Sequence, residues 1–378
     1  MRLVPIGSIK EGSLLAKSIY DEEGRVLLNH GIELTESLID KLKVNQVYAV
    51  HIADDYSVGE IKDVIRPELR HLAVKEIKTV FEAIRKEVER TIQTLKSEQA
   101  QMNRRLRLMV DQKYFQSIEQ IINEMMGDII HNKDVMVGLV DIKNMQSFVY
   151  QHSIQVTVLS ILIGISMKMD EKMLKDLAIG AMMHDIGLAF IDKELIHYRS
   201  DFSEEQKESY RRHCKLGNDF LKENTMLSVG SRMGVLEHHE CNDGSGYPLG
   251  IREEQIHINA RIIHVANVYD KMTSGHLGKV VPPNEAIEYI MGNAGNGRIF
   301  DFEIANLFVR RIVPFPMGTL VLLSNSQKAV VTGYNADNPL RPIVKIIEKG
   351  RRVEDLQQLN LINADTLNIT IKKNIYEI

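Results

Sequence analysis

Two adjacent histidines, His238 and His239, lead directly into a short loop with two glycines and a proline, all within residues 237–248. Neighbouring imidazoles suit neither a hydrophobic core nor a helix, but they suit a metal site, because neutral imidazole is the commonest protein ligand for transition ions. The glycines permit backbone angles that other residues avoid, and the proline fixes φ and removes a hydrogen-bond donor. Residues 237–248 therefore predict half of a metal site and the loop that shapes its mouth.

Composition narrows the class of protein. The 378 residues are enough for two or three domains, and the 26% charged and 44% hydrophobic fractions are typical of ordinary soluble proteins. The net charge of −4 gives no electrostatic basis for binding duplex nucleic acid. The longest apolar run, 156–167, is shorter than the ~18 residues that cross a bilayer, and residues 1–5 do not resemble a signal peptide. Two cysteines, Cys214 and Cys241, make no disulfide framework, so we expect a cytoplasmic protein with two inert free thiols and no membrane span.

Hydrophobic patterning divides the chain into four predicted parts. Residues 1–65 carry short apolar runs and one helical pattern, which predict a small α+β regulatory or docking domain. Residues 66–111 predict a long helical linker, in which the 72–109 helix either forms a coiled coil across a homodimer or packs on its own catalytic domain. Residues 112–313 predict nearly all helix, and the alternating pattern of residues 314–378 predicts a small β-rich module.

Five predicted helices carry or precede the histidines that could bind a metal. They span Gln146–Met167, Glu171–Met183, a segment starting at Ser203, a segment from about Leu227 to His238, and Asn259–Ser274. We expect the side chain of Ser203 to cap the third helix and Gly187 to stop the second. Two shorter helices, Glu285–Met291 and Phe302–Ile312, are predicted to support the bundle.

Seven residues in this region are candidate metal ligands. They are His152, His184, Asp185, His213, His238, His239 and Asp270. They lie on different helices or at helix ends, so a bundle could point all of them inward. The adjacent His184 and Asp185 place a neutral ligand beside a carboxylate whose two oxygens could bridge two ions. Two ions ~3.5–4 Å apart clamp the attacking and leaving oxygens of a phosphoryl displacement and lower the pKa of a bridging water.

Single histidines carry less weight than the set. A lone helical histidine such as His152 or His213 is more often structural or exposed than a ligand. His257, His264 and His276 show no partner pattern and are left as non-ligands. The joint pattern favours a metal site, and histidines with carboxylates suit iron, manganese, zinc or related ions, whereas magnesium and calcium prefer more oxygen ligands.

The ordered set resembles the HD-GYP domain, a subgroup of the HD-type metal-dependent phosphohydrolases. The motifs that carry the resemblance are His184-Asp185-Ile186-Gly187, His238-His239-Glu240, Asp243-Gly244-Ser245-Gly246-Tyr247-Pro248, Ala260-Arg261-Ile262 and Tyr269-Asp270. The resemblance covers residues 112–313. It implies a mainly α fold with an HD-type helical bundle as catalytic domain, flanked by the small α+β N-terminal domain, the long helical linker and the β-rich C-terminal module.

The resemblance implies hydrolysis of the bacterial second messenger cyclic di-GMP to the linear dinucleotide pGpG, and in many members to GMP. It also implies two divalent ions, with iron or manganese expected first and zinc, nickel or cobalt as alternatives. By resemblance, one ion is held by His152, His184, Asp185 and Asp270, and the other by His213, His238 and His239, with Asp185 as the bridging catalytic residue. A hydroxide between the ions would attack the phosphorus. Members with a third ion use a glutamate where this chain has Phe148, so we expect two ions.

The chain keeps fewer of the family's substrate-binding residues than of its metal ligands. The residues expected to bind substrate are Tyr247, Arg261 and Lys279. The family usually has a lysine in place of Leu188 and an arginine in place of Cys241, and its Arg-Pro-Tyr-Arg stretch corresponds here to 276–279, His-Leu-Gly-Lys. Each lost charge-assisted hydrogen bond to phosphate could cost ~1.5–3 kcal/mol, so we expect weakened substrate binding.

Two alternatives remain beside an active phosphodiesterase. The chain could be a weakened member that binds metal and nucleotide as a sensor, or that contacts a protein partner through the loop around Tyr247. It could instead hydrolyse another nucleotide, such as a different cyclic dinucleotide. The expected partners are therefore cyclic di-GMP, a second copy of the chain through the 72–109 helix, and a protein at the loop.

Overall fold

The computed structural model describes residues 1–20, 26–44, 47, 49–54, 57, 64–97, 112–132, 148–196, 201–274, 281–294, 298–335, 338–348 and 353–375. Within these ranges the buried apolar residues form three clusters, in the N-terminal, helical and C-terminal parts of the chain. This arrangement confirms the predicted mainly α fold with a small mixed unit before it and a β-rich module after it.

The N-terminal part is a small α+β unit. Its elements are β1 (Arg2–Pro5), β2 (Ser13–Leu15), β3 (Ile19–Tyr20), β4 (Val26–Leu28), β5 (Glu33–Leu34), α1 (Glu36–Val44) and β6 (Ala49–Ala53). Four strands form an antiparallel sheet in the order β1-β6-β2-β5, and β3 pairs with β4. Ile39 and Leu42 of α1 belong to one buried cluster with Val50 of β6, so the amphipathic helix covers one face of the sheet.

A 31-residue helix, α2 (Pro67–Ser97), leads from this unit into the helical part. It packs along α3 (Gln112–His131) and α4 (Phe148–Ser166). Arg66, directly before α2, anchors this packing, because its backbone N–H and its Nε both donate to the carboxylate of Asp128 on α3.

The apolar seam of α2 faces the protein's own helices. Ile77, Phe81 and Ile84 are buried in the same cluster as the core of the helical part. Up to Val88 the seam is covered by contacts within the chain, so this stretch packs on its own domain, one of the two predicted arrangements. Residues 98–109 of the predicted helix lie outside the described residues, and the homodimer stays a prediction.

Seven helices follow α4 within the described residues. They are α5 (Glu171–Met183), α6 (Glu204–Arg211), α7 (His213–Asn224), α8 (Val229–Glu237), α9 (Ile258–Thr273), α10 (Pro283–Ala294) and α11 (Phe302–Val309). Ser203 caps α6 as predicted, in a reciprocal pair of hydrogen bonds with Gln206. The single helix predicted from Ser203 is in fact two, which meet at Arg212.

Helix α4 forms the centre of the helical part, packed against α5 and α9. Its length and hydropathy alone would suit a membrane span, but 83% of the apolar stretch is buried inside the protein. The buried stretch begins before the predicted run 156–167 and includes Ser153, whose hydroxyl donates to the carbonyl of Val149 one turn back and so tolerates burial. In this fold α4 is a core helix.

Gly187 lets two backbones touch, which corrects its predicted role as a helix stop. Helix α5 has already ended, and Ile186–Phe190 form a short 3₁₀ segment. A Cβ on Gly187 would lie 1.9 Å from the carbonyl oxygen of His213 and 2.8 Å from the nitrogen of Gly217. Because only glycine fits there, the segment that follows Asp185 lies directly against the start of α7.

A second close crossing joins α5 to α8. A Cβ on Gly180 would lie 2.9 Å from the carbonyl oxygen of Ser231, and the hydroxyl of Ser231 donates to the carbonyl of Asp176. Since α8 runs directly into His238, this crossing fixes where the histidine pair lies relative to α5.

The C-terminal part is a five-stranded antiparallel sheet, which confirms the predicted β-rich module. Its strands are β7 (Leu320–Leu323), β8 (Lys328–Gly333), β9 (Ile343–Ile346), β10 (Gln358–Asn360) and β11 (Ile371–Ile375), in the order β10-β9-β8-β7-β11. The first three strands carry most of the apolar residues behind that prediction, whereas the last two are short or polar and show little apolar alternation.

Replacing Gly187 by alanine tests the close approach of the two backbones. The added methyl would overlap the carbonyl oxygen of His213, so we expect a loss of about 1–3 kcal/mol in the free energy of unfolding. The control is Gly127→Ala on α3, where a Cβ meets nothing within 4 Å and should stabilise the helix by about 0.5–1 kcal/mol. Urea unfolding measures both, and a Gly187→Ala variant as stable as the parent would contradict this contact.

Candidate metal centre

The seven predicted ligands come from five parts of the helical fold and meet in its interior. His152 lies on α4, His184 and Asp185 follow α5, His213 begins α7, His238 and His239 follow α8, and Asp270 lies on α9. All are buried except His239, which is partly exposed. The structure therefore brings together every predicted metal-ligand position.

The donor atoms fall into two adjoining groups. One contains His152, His184 and Asp185, the other contains His213, Cys214, His238 and His239, and the donor atoms within a group lie within 4.8 Å of one another. Asp270 extends the first group, because its Oδ2 lies 2.5 Å from Nδ1 of His152. Two adjoining groups of this kind suit two ions rather than one.

The carboxylate of Asp185 lies between the two groups. Its Oδ2 is 3.2 Å from Nε2 of His184 and 3.8 Å from Nε2 of His152. Its Oδ1 is 3.4 Å from Nε2 of His213 and 3.5 Å from Nε2 of His238. Each oxygen therefore faces a different group, as a bridging carboxylate would.

Three of the imidazoles are oriented by the backbone of the preceding turn. Nδ1 lies 2.8 Å, 2.6 Å and 2.8 Å from the carbonyl oxygen three residues earlier in His184, His213 and His238 respectively. Since a carbonyl only accepts, Nδ1 carries the proton in each ring and donates it. The lone pair of Nε2 then points into the centre, which is the arrangement of metal-binding histidines.

His152 is held differently, by two side chains of α9. Its Nδ1 faces Oδ2 of Asp270, and its Nε2 lies 3.0 Å from Oδ1 of Asn267. Asn267 was not predicted as part of the site. Both partners lie one turn apart on one face of α9, so that face positions His152 and Asp270 together.

Burial and neighbouring charge set the protonation states of the donors. Burial lowers the pKa of His152 to about 4 and that of His238 to about 3. Burial alone would raise the pKa of Asp185, but the neighbouring His184 and Lys271 hold it well below its ordinary value. A neutral imidazole at His152 and at His238 and an ionised carboxylate at Asp185 are the forms that bind a divalent cation.

Tight packing holds the loop after His239 against the centre. A Cβ on Gly246 would lie 2.4 Å from the carbonyl oxygen of His239, so only glycine fits at that point. Oε1 of Glu240 accepts hydrogen bonds from the backbone N–H groups of Leu249 and Gly250. These contacts hold the loop in place beside the histidine pair.

Tyr247 supports a predicted ligand. Its ring stacks on that of His239, with 4.6 Å between centroids and 22° between planes, and the guanidinium of Arg211 lies 5.5 Å from the centroid of the Tyr247 ring. The peptide bond between Tyr247 and Pro248 is cis. Tyr247 fixes the ring of His239, and its contact with substrate stays a prediction.

Arg261 and Lys279 are the other two residues that were predicted to bind substrate. Nη1 of Arg261 donates to Oδ2 of Asp301 at 2.8 Å, and Asp301 also caps the start of α11. This ion pair holds α9 to α11, and the geometry gives no support to a substrate contact by Arg261. Lys279 and His276 lie outside the described residues.

Three positions where this chain departs from the family pattern are filled by other contacts. Leu188 is buried in the core, and its carbonyl accepts a hydrogen bond from Arg85 of α2 at 2.9 Å. Cys241 is half-buried beside the loop. The ring of Phe148 stacks on that of His152 at 5.4 Å, where a third-ion ligand would otherwise lie.

Two more residues near the centre were not predicted as part of it. Sγ of Cys214 lies 3.5 Å from Nε2 of His213. Lys271 is partly exposed beside Asp270, and its charge contributes to the low pKa of Asp185. Each follows a predicted ligand directly in the sequence, and that adjacency was the signal that could have identified them.

Two family models match the chain. Residues 135–304 match the HD domain, and residues 320–378 match a KOW domain associated with the HD domain. The first range contains all seven predicted ligand positions, and the second contains the C-terminal sheet. The resemblance drawn from the motifs is confirmed at the level of the HD domain.

The chain is also similar to curated proteins and to a solved structure. A cyclic di-GMP phosphodiesterase of Pseudomonas aeruginosa is 27% identical over 231 residues, covering 61% of this chain and 55% of that protein. A 3'3'-cGAMP-specific phosphodiesterase of Vibrio cholerae is 28% identical over 181 residues, covering 47% of this chain and 40% of that protein. The chain thus spans about half the length of these curated relatives. A solved HDG"Y"P protein of Bdellovibrio bacteriovorus shares the fold, with a TM-score of 0.51 and 15% identity over 81% of this chain and 97% of that one.

His264 should make the stability of the metal-free protein depend on pH. Its Nδ1–H donates to the carbonyl of His238 at 3.0 Å, and burial lowers its pKa to about 4. Because the pKa in the unfolded chain is about 6.5, the unfolded state binds more protons between those values, and stability falls as pH drops through that window. With His264→Gln, we expect the loss in unfolding free energy between pH 7 and pH 5 to be smaller by about 2 kcal/mol.

Urea unfolding of metal-free protein at both pH values measures this difference. His131→Gln, at an exposed position at the end of α3, is the matched control and should keep the parental pH dependence. An unchanged pH dependence in His264→Gln would mean that His264 does not titrate in this window.

Proposed function

This chain carries an HD domain, and we propose that it hydrolyses a phosphodiester bond of cyclic di-GMP at a centre of two divalent ions. The observation that carries the proposal is the position of Asp185, whose two carboxylate oxygens face two separate groups of buried donors. The substrate is proposed because the Pseudomonas aeruginosa relative is named a cyclic di-GMP phosphodiesterase.

The residues present fit two divalent ions. Nε2 of His184, Nε2 of His239 and Oδ1 of Asp185 are all buried without a hydrogen-bond partner among the described residues, which is costly for polar atoms unless an ion binds them. We propose iron or manganese, with zinc, nickel or cobalt as alternatives. Bound ions would neutralise phosphate charge and lower the pKa of a water molecule.

The chain itself supplies a further charge for the substrate. Lys271 lies directly after Asp270 on α9, one turn from Asn267, so it shares the face of the helix that contacts His152. Its ammonium makes no hydrogen bond or ion pair with a described residue. We propose that Lys271 binds a substrate phosphate and offsets part of the charge that Leu188 and Cys241 do not provide.

The product follows from the number of bonds cut. A cyclic dinucleotide has two phosphodiester bonds, so cutting one gives the linear dinucleotide pGpG and cutting both gives GMP. We propose pGpG as the first product, since a single centre with one bridging carboxylate acts on one phosphate at a time.

A second candidate substrate is a mixed cyclic dinucleotide. It is favoured by the Vibrio cholerae relative, which is named as specific for 3'3'-cGAMP. Parallel assays with the two cyclic dinucleotides at equal concentration separate the candidates by the ratio of kcat/KM.

The remaining organisation of the protein is also a proposal. We propose domain boundaries at residues 65, 111 and 313. We also propose a cytoplasmic location, with which the two free cysteines are consistent. Self-association would use the part of the 72–109 helix that does not pack on the chain's own helices. A protein partner would meet the loop where Leu249 is 56% exposed.

Asp185→Asn removes the bridging charge and keeps the shape of the side chain. We expect anaerobically purified protein to fall from two ions per chain to one or none, and hydrolysis of cyclic di-GMP to fall by roughly a hundredfold or more. Asp128→Asn, which removes the carboxylate paired with Arg66, should retain both ions and full activity.

Elemental analysis and product chromatography give both readouts. Two ions and parental activity in Asp185→Asn would overturn the bridging role. If the metal-loaded parent yields neither pGpG nor GMP, the proposed substrate is wrong.

Lys271→Ala tests the proposed phosphate contact. A charge-assisted hydrogen bond of about 1.5–3 kcal/mol corresponds to a KM for cyclic di-GMP raised by about tenfold or more, with kcat changed less. Lys271→Arg keeps the charge and should keep KM within a fewfold of the parent. Steady-state kinetics measure both, and an unchanged KM in Lys271→Ala would place the phosphate elsewhere.

A further inference from the structure

A cysteine lies among the donors of the second group. Cys214 is the second residue of α7, directly after His213, and its side chain is completely buried. Its Sγ, with the donor nitrogens of His213, His238 and His239, belongs to one set of atoms that lie within 4.8 Å of one another. Sulfur therefore has the same access to an ion in this group as the imidazoles have.

Two of the distances between these donors match those around a single ion. Zinc–nitrogen bonds of about 2.0–2.1 Å and zinc–sulfur bonds of about 2.3 Å place tetrahedral ligands about 3.3–3.4 Å apart for two nitrogens and about 3.6 Å apart for nitrogen and sulfur. Nε2 of His213 and Nε2 of His238 lie 3.3 Å apart, and Sγ of Cys214 lies 3.5 Å from Nε2 of His213. The four-atom arrangement is completed by Oδ1 of Asp185, 3.4 Å and 3.5 Å from the same two nitrogens.

Two further atoms, one in this group and one in the carboxylate that faces it, independently indicate a missing ligand. Oδ1 of Asp185, in a side chain that is 2% exposed, has no hydrogen-bond partner among the described residues, and neither has Nε2 of His239. Such atoms are rarely left unpaired, because burying a polar atom without a partner costs free energy. An ion bound between them and Cys214 would satisfy all three.

We propose that Cys214 binds the second ion through its sulfur as a thiolate, beside His213, His238 and Asp185, with His239 as a fifth donor. The thiol proton passes to solvent as the sulfur–metal bond forms. This inference rests on the two-ion centre proposed above and goes beyond it, because it makes the two ions chemically unequal.

The first ion would meet only nitrogen and oxygen donors, from His152, His184, Asp185 and Asp270. The second would meet a soft thiolate, which favours zinc, iron or cobalt over manganese. The structure thus assigns different metal preferences to the two positions, and a mixed pair of ions becomes the expected loaded state.

Cobalt(II) reports directly on sulfur ligation, because a cobalt–thiolate bond gives a charge-transfer absorption band in the near ultraviolet. The full chain is loaded anaerobically with cobalt(II) as the parent, as Cys214→Ser and as Cys241→Ser. The chain has two cysteines, so Cys241→Ser is the matched control, and its sulfur lies 4.0 Å from Nε2 of His264, outside the donor group.

The expected result is a near-ultraviolet band in the parent and in Cys241→Ser that is lost in Cys214→Ser. The visible cobalt bands should persist in Cys214→Ser, which shows that the variant folds and still binds cobalt through nitrogen and oxygen. Zinc affinity of the second position should fall by about tenfold or more in Cys214→Ser, with manganese affinity of the first changed much less.

Three outcomes would overturn the proposal, and they are distinguishable. A parent that binds two cobalt ions and hydrolyses cyclic di-GMP without the charge-transfer band would reject the thiolate alone. A parent that binds no cobalt, zinc or manganese would reject both the thiolate and the proposed two-ion function. A band that survives Cys214→Ser and disappears in Cys241→Ser would assign the sulfur to the other cysteine and overturn this assignment.

Discussion

The buried carboxylate of Asp185 is the constraint on which the rest of the structure depends. A carboxylate withdrawn from water costs several kcal/mol unless charge or hydrogen bonding compensates it. Here the compensation would come from the ions that we propose between Asp185 and the imidazoles on separate elements, among them His184 at 3.2 Å and His213 at 3.4 Å. Because α4, α5, α7 and α8 all supply groups to one acceptor, no one of these helices can shift without disturbing the others.

Close backbone contacts at two glycines set the positions of the helices around Asp185. The absence of a side chain at Gly187 allows the segment after Asp185 to lie against the first residue of α7, and Gly180 allows α8 to cross α5 closely. The histidines are then aimed by carbonyls of their own preceding turn, so Nε2 faces inward. Position comes from glycines between helices, and orientation comes from hydrogen bonds within them.

The features set by local sequence could be predicted, and those set by distant contacts could not. Helix α5 was predicted at its observed bounds, Glu171–Met183, and Ser203 was predicted as a cap, since both depend on neighbours within a few residues. The donor residues could be collected because imidazoles and carboxylates at helix ends are unusual as a set. By contrast, Arg261 pairs with Asp301 forty positions later, and Leu188 is buried under α2, and no local pattern reveals either contact.

Anomalous diffraction can show whether two ions share the carboxylate of Asp185. Crystals of the full chain grown with a transition metal would be measured on either side of the absorption edge of that metal. We expect two anomalous peaks about 3.5–4 Å apart, one beside each carboxylate oxygen. A single peak, or two peaks that do not flank Asp185, would contradict it.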